Sequence, residues 1–174
     1  MTTTKPISII GTGGAGKTTI GVSLSQAFNI PFVDSDQTLE AEEGRTIPQI
    51  FEQEGEAYFR QKEREVIAAL AGSKEPQILS TGGGAFMNPE TRALLLEKTT
   101  VVFLRANLET LLSRVGNGEG RPLFDGKNPK EVLEAMIRDR YPVYEQAHIT
   151  IDTDGEETDL TTQKVISALG QHLK

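Results

Sequence analysis

The chain has no cysteine. That excludes a disulfide, a thiolate zinc site and a thiol nucleophile. It also lacks an excess of positive charge: 18 Lys and Arg stand against 25 Asp and Glu, for a formal net charge of −7. A general nucleic-acid binder rests on a basic surface, and a polybasic membrane anchor on the same, so both classes are set aside. Any anion must then be held by local groups of Arg and Lys. No apolar run approaches the roughly 18 to 20 residues of a membrane span. Residues 1–7 carry no signal-peptide apolar core. The expectation is a cytoplasmic protein with no membrane partner. Internal repeats and low-complexity tracts are absent as well. At 174 residues the chain suits one domain with a real core and is short for two.

What is present, first, is a glycine-rich run: Gly11-Thr12-Gly13-Gly14-Ala15-Gly16-Lys17-Thr18, followed by Thr19. It fits the phosphate-cradling pattern G-x-x-x-x-G-K-S/T, with an apolar strand before it and a helical pattern after it. Without β-carbons the backbone can curl several N–H groups around one anion, and the helix that follows adds its positive end. Lys17 can reach the β- and γ-phosphates, and the Thr18 hydroxyl can ligate Mg²⁺. Short Val/Ile/Leu/Phe segments at 6–10, 31–34, 77–80, 100–104 and 149–152 read as buried parallel strands. Helical patterns lie between them at 17–28, 47–71, 90–97, 108–115, 129–144 and 160–173. Asn88-Pro89 and Asn128-Pro129 each supply a cap followed by a first helical residue. Such alternation predicts an α/β domain with its ligand at the carboxyl ends of the strands.

Several further residues are chemically suggestive. Asp34 and Asp36 end the second strand: Asp34 could hold Mg²⁺ through a water, and Asp36 could accept a substrate hydroxyl. Equally, Ser35 or Asp36 could cap a helix running through Gln37 to Glu40. Arg60 sits in a charged helix whose charges mostly read as a solvated face. Gly82, Gly83 and Gly84 close the third strand; a turn needs one or two, and three suggest that another molecule approaches the backbone. Arg114 and Arg121 flank a loop with four glycines between positions 116 and 126, and Arg140 opens Arg140-Tyr141-Pro142-Val143-Tyr144. Arginine offers bidentate contacts to phosphate or carboxylate and a flat face for a base. His148 and His172 show no ligand spacing and read as structural or surface residues. Asp152-Thr153-Asp154-Gly155 fits D-x-x-G, but no guanine signature follows, and an EF-hand glycine would fall at the sixth position.

In order and spacing, these motifs together resemble shikimate kinase: the P-loop, D-x-D at Asp34 and Asp36, G-E-x-x-F-R over 55–60, Gly82-Gly83-Gly84, R-P-L over 121–123, and R-x-P-x-Y over 140–144. The resemblance runs through nearly the whole chain. It implies a three-layer P-loop kinase fold, with a five-stranded parallel sheet ordered 2-3-1-4-5 flanked by helices and a mobile lid over 116–128. It implies transfer of the ATP γ-phosphoryl group to the 3-hydroxyl of shikimate, Mg²⁺ as cofactor, and a monomer whose partners are ATP and shikimate. By the same resemblance Asp36, Arg60, Gly82, Gly83, Gly84 and Arg140 would bind shikimate, with residues 35–71 as a substrate-binding helical segment. Gly11, Gly13, Gly14, Ala15, Gly16, Lys17, Thr18 and Thr19 would bind ATP together with Arg114, stacked on adenine, and the lid residue Arg121. Lys17, Asp36 and Arg121 would be catalytic, and Thr18 and Asp34 would organise the metal. Two departures stand out: Thr12-Gly13 where many members carry bulkier residues, and no fixed motif on the adenine side near 153–159. The rivals are a kinase of the same fold for gluconate or a nucleoside monophosphate, and a nucleotide-binding module without catalysis.

Overall fold

The computed structural model describes residues 5–115, 127–155 and 157–172. Strands β1 (Ile7–Ile10), β2 (Phe32–Asp34), β3 (Ile78–Ser80), β4 (Thr100–Arg105) and β5 (Ile149–Asp152) form one sheet in the order β2-β3-β1-β4-β5. Every pairing is parallel. Side chains alternate between the two faces of a strand, and here both faces are covered. Ile7, Ile9, Val102 and Leu104 enter one core cluster, while Ile10, Leu79, Val101 and Phe103 enter the other. That double burial is why the strands read as nearly continuous apolar runs.

Helices α1 (Lys17–Phe28) and α8 (Thr158–His172) cover the first face through Leu24, Val165 and Leu169. The second face takes α5 (Pro89–Lys98) and the end of α7 (Pro129–Tyr144), through Leu95, Tyr141 and Tyr144. Helix α6 (Leu108–Val115) follows β4. Between β2 and β3 stand α2 (Ser35–Glu43), α3 (Ile47–Glu54) and α4 (Glu56–Ala71). Leu39, Ile50, Phe59 and Val66 give this group a small core of its own. Arg45 staples it further, bonding Glu43 at 2.7 Å and Glu54 at 3.3 Å.

Two sequence readings need correction. The single helix expected over 47–71 is two, broken at Gly55, whose φ of 89° suits glycine far better than any residue with a β-carbon. Helix α2 was foreseen only as a possible cap. Its apolar content is too thin to show periodicity, because Leu39 is its one buried large side chain. The cap is Asp34 rather than Ser35 or Asp36: its Oδ1 accepts from Gln37 N–H at 3.0 Å.

Candidate active site

The carboxyl ends of β1, β2 and β3 open into one cleft of ≈1190 Å³. Its lining takes in Gly13 through Thr19, Asp34, Asp36, Arg60, Gly82, Gly83, Gly84, Arg114 and Arg140. Residues spread over more than a hundred positions of sequence therefore share one space. Gly11 lies just behind the lining and takes part through its carbonyl. Arg121, and the lid segment apart from Lys127 and Asn128, lie outside the described residues.

One side of the cleft is built from backbone. The turn from Gly11 to Gly16 leads straight into α1, with Gly11, Gly14 and Gly16 at positive φ. Lys17 Nζ donates to Gly11 O at 2.8 Å and to Thr12 O at 3.2 Å. Arg114 Nη1 reaches across from α6 to Gly14 O at 2.7 Å. Thr153, Thr158 and Thr161 line the same end, and the buried Thr153 Oγ1 has no partner among the described residues.

The other side is built from side chains packed on the glycine turn. A β-carbon at Gly82 would lie 3.0 Å from Asp36 Oδ1 and 3.2 Å from Glu63 Oε2. At Gly83 it would lie 3.2 Å from Arg140 Nη1, and at Gly84 2.9 Å from Arg60 Nη1. Each glycine thus makes room for a different site residue. The expectation that three glycines serve an approaching molecule is refined: the close neighbours are the protein's own acids and arginines. The N–H groups of Gly82, Gly83 and Gly84 have no partner among the described residues.

The electrostatics follow from burial. Asp36 is pushed up to about 6, first by burial and then by Asp34 and Glu63, with Lys17 pulling the other way. Its Oδ1 is buried without a hydrogen-bond partner among the described residues. Burial brings Lys17 down to about 8, with Asp36 and Asp34 opposing and Arg140 assisting. Arg60 pairs with Glu63 at 2.9 Å and Glu56 at 3.7 Å, and stands 5.1 Å from the Phe59 ring centre. Arg140 forms no ion pair among the described residues. Its charge acts on the nearby Glu63 carboxylate without pairing with it, so the guanidinium can meet an anionic ligand.

Sequence reasoning missed Glu63, 5% exposed and tied to Arg60. Its signal was the i,i+3 spacing from Arg60 on a helix. It also missed the apolar wall of Ile47, Pro48, Phe51 and Phe59, which the broken helix hid. The two histidines are not apart: their rings stand 5.3 Å from each other, and His148 Nδ1 accepts from Val101 N–H at 2.9 Å. That contact sits at the amino end of β4, away from the cleft, so their structural reading holds. Asp152 of the D-x-x-G match is occupied by Arg105 at 2.7 Å.

A nucleotide-type anion nest beside a compact pocket of two acids, two arginines and free amides defines a P-loop kinase acting on a small polar acceptor. A family-level sequence profile described as Shikimate kinase matches residues 13–170. The shikimate kinase of Novosphingobium aromaticivorans is 41% identical over 172 residues, spanning 97% of this chain and 89% of that protein. The shikimate kinase from Acinetobacter baumannii, solved in complex with shikimate, has a TM-score of 0.90 at 37% identity, covering 99% of this chain and 97% of that one. A gluconokinase from Sinorhizobium meliloti, at TM-score 0.61 and 18% identity over 97% of this chain and 93% of its own, shares the fold alone. The chain belongs to the shikimate kinase family of ATP-dependent kinases.

Proposed function

We propose a division of labour within this cleft for moving the ATP γ-phosphoryl group to the 3-hydroxyl of shikimate, giving shikimate 3-phosphate and ADP on the route to chorismate and the aromatic amino acids. The chain acts as a single P-loop kinase domain, with residues 35–71 as its acceptor-binding segment and 116–128 as its lid. N–H groups from Gly11 to Thr19 cradle the phosphates, and Lys17 exchanges its bonds to Gly11 O and Thr12 O for the β- and γ-phosphate oxygens. Arg114 turns from Gly14 O to the adenine face, and Arg121 meets the phosphates.

On the acceptor side Arg60 and Arg140 take the carboxylate, and the free N–H groups of Gly82, Gly83 and Gly84 take acceptor oxygens. Asp36 Oδ1 accepts the hydrogen bond of the reacting hydroxyl and receives its proton late, as a loose phosphoryl transition state requires little early deprotonation. Positioning and charge neutralisation carry most of the rate. Thr18 and Asp34 offer hard oxygen donors that suit magnesium, and Asp34 commits only Oδ1 to its cap. Among the described residues no cluster of three or more His, Asp or Glu side chains could cage a metal, which fits an ion that arrives with the nucleotide. Bound there, magnesium neutralises phosphate charge. We place the enzyme in the cytoplasm as a monomer handling only small molecules, which size-exclusion chromatography checks.

The observation that carries this reading is Asp36 Oδ1, without a partner among the described residues, beside a turn whose three N–H groups have none among them either, flanked by Arg60 and Arg140 and sharing the cleft with Lys17. Coupled ADP release with Mg-ATP tests it over shikimate, gluconate and a nucleoside monophosphate. Turnover with shikimate alone is expected. Comparable turnover with either alternative, or ATP binding without transfer to any of the three, overturns it.

A further inference from the structure

Three consecutive glycines surrender a great deal of conformational freedom on folding, so the turn at 82–84 needs fastening from outside. Two of its carbonyls are bonded locally, Gly82 O by Ala85 N–H at 3.1 Å and Gly84 O by Met87 N–H at 3.2 Å. The middle one, Gly83 O, accepts from the hydroxyl of Tyr144 on α7. The Arg140 guanidinium, one helical turn earlier, lies over the same glycine, its Nη1 3.2 Å from where a β-carbon on Gly83 would stand.

The ring that carries this hydroxyl cannot wander. Tyr144 is fully buried, its ring packed 5.2 Å from Phe103 and 6.3 Å from Phe86. The peptide between Gly83 and Gly84 is planar and trans, so pinning Gly83 O toward Tyr144 directs the Gly84 N–H the opposite way. Burial also pushes the Tyr144 phenol up, so it keeps its proton and remains a donor. Tyr141, on the same helix, spends its hydroxyl on Ala106 O instead.

We infer that Tyr144 is a positioning residue of the acceptor half: through Gly83 O its hydroxyl sets the aim of the Gly84 N–H beneath Arg140. The inference rests on the acceptor assignment proposed above. On this inference Tyr144 does not touch the acceptor and acts only through Gly83.

The test compares Tyr144→Phe with Tyr141→Phe. Each deletes one buried hydroxyl from the same helix, so each lowers thermal stability. Only Tyr144→Phe is expected to raise the KM for shikimate, by about tenfold, the scale of one lost buried hydrogen bond, with the KM for ATP within about twofold. A Tyr144→Phe enzyme that loses stability as Tyr141→Phe does but keeps its shikimate KM within about twofold reduces Tyr144 to a structural role. Should Tyr144→Phe fail to fold, 3-fluorotyrosine labelling of the otherwise unaltered chain decides, with signals assigned through Tyr58→Phe and Tyr141→Phe. The Tyr144 signal must then shift on saturation with shikimate, and a stationary signal overturns the inference. Failure of the underlying acceptor assignment looks different: Arg60→Lys and Arg140→Lys would both leave the shikimate KM unchanged.

Discussion

On the proposed assignment, the two halves of the cleft hold anions by opposite means. The half assigned to phosphate is one contiguous stretch, residues 11–19, and offers mainly backbone amides and the start of α1. The acceptor half draws on the end of β2, helix α4, the turn after β3 and the end of α7. There, carboxylates and guanidinium groups balance one another: Glu63 answers Arg60, while Asp36 stands against Asp34 and Glu63 with Lys17 in relief. A backbone nest survives many side-chain changes so long as its geometry stands. A balanced set of buried charges does not, because removing one member leaves another uncompensated.

The largest expected effect breaks the balance at its strained member. Asp36→Asn should lower kcat by about a hundredfold, within the range of general-base loss, and yet stabilise the protein. The sign follows from the pKa raised from 3.8 to about 6: the folded protein holds this proton more tightly than the unfolded chain, so Asp36 costs stability as pH rises between those values. Discounted for solvent, the gain is on the order of 1 kcal/mol, or about 2–4 °C in Tm. It should be full above pH 6 and vanish below pH 3.8. Thermal denaturation of both proteins at pH 7.5 and pH 3.5 measures it, and a less stable variant at pH 7.5 contradicts the strain.

Next in size come Arg60→Lys and Arg140→Lys, which keep the charge and lose the planar fork. Each should raise the shikimate KM about tenfold and leave the ATP KM alone. Equal losses for both substrates would erase the distinction between the halves. The smallest effect belongs to the phosphate half. Because burial brings Lys17 down to about 8 in the free protein, a bound triphosphate should draw most of a proton onto it at pH 8.5 and only about a tenth of one at pH 7. Calorimetry in two buffers of different ionisation enthalpy reads that uptake, and equal apparent enthalpies at pH 8.5 would refute it.

The same contrast explains what the sequence disclosed. The phosphate half is contiguous, so glycine spacing and the helix that follows were both legible, and α1 runs over the residues expected. Asn128-Pro129 likewise marked the start of α7. The acceptor half is legible only as a joint pattern, because no local rule ties Arg60 to a turn more than twenty residues away. Asp34 and Asp36 do share the cleft, but the cap of α2 falls on Asp34 rather than on Ser35 or Asp36, a backbone matter that composition does not encode. The three glycines announced a close approach without naming what approaches. Glu63 was hidden among charges that elsewhere on α4 face solvent, and the ring contact of His148 with His172 is purely tertiary.

The crowding around the glycine turn also limits what this pocket can evolve into. A side chain at 82, 83 or 84 would press on an acid or an arginine of the site, which must then shift. The wall opposite is more forgiving: Phe51 is 37% exposed, and Ile47 and Pro48 stand beside it at the cleft. A library seeking altered acceptors should randomise that wall and leave the turn untouched.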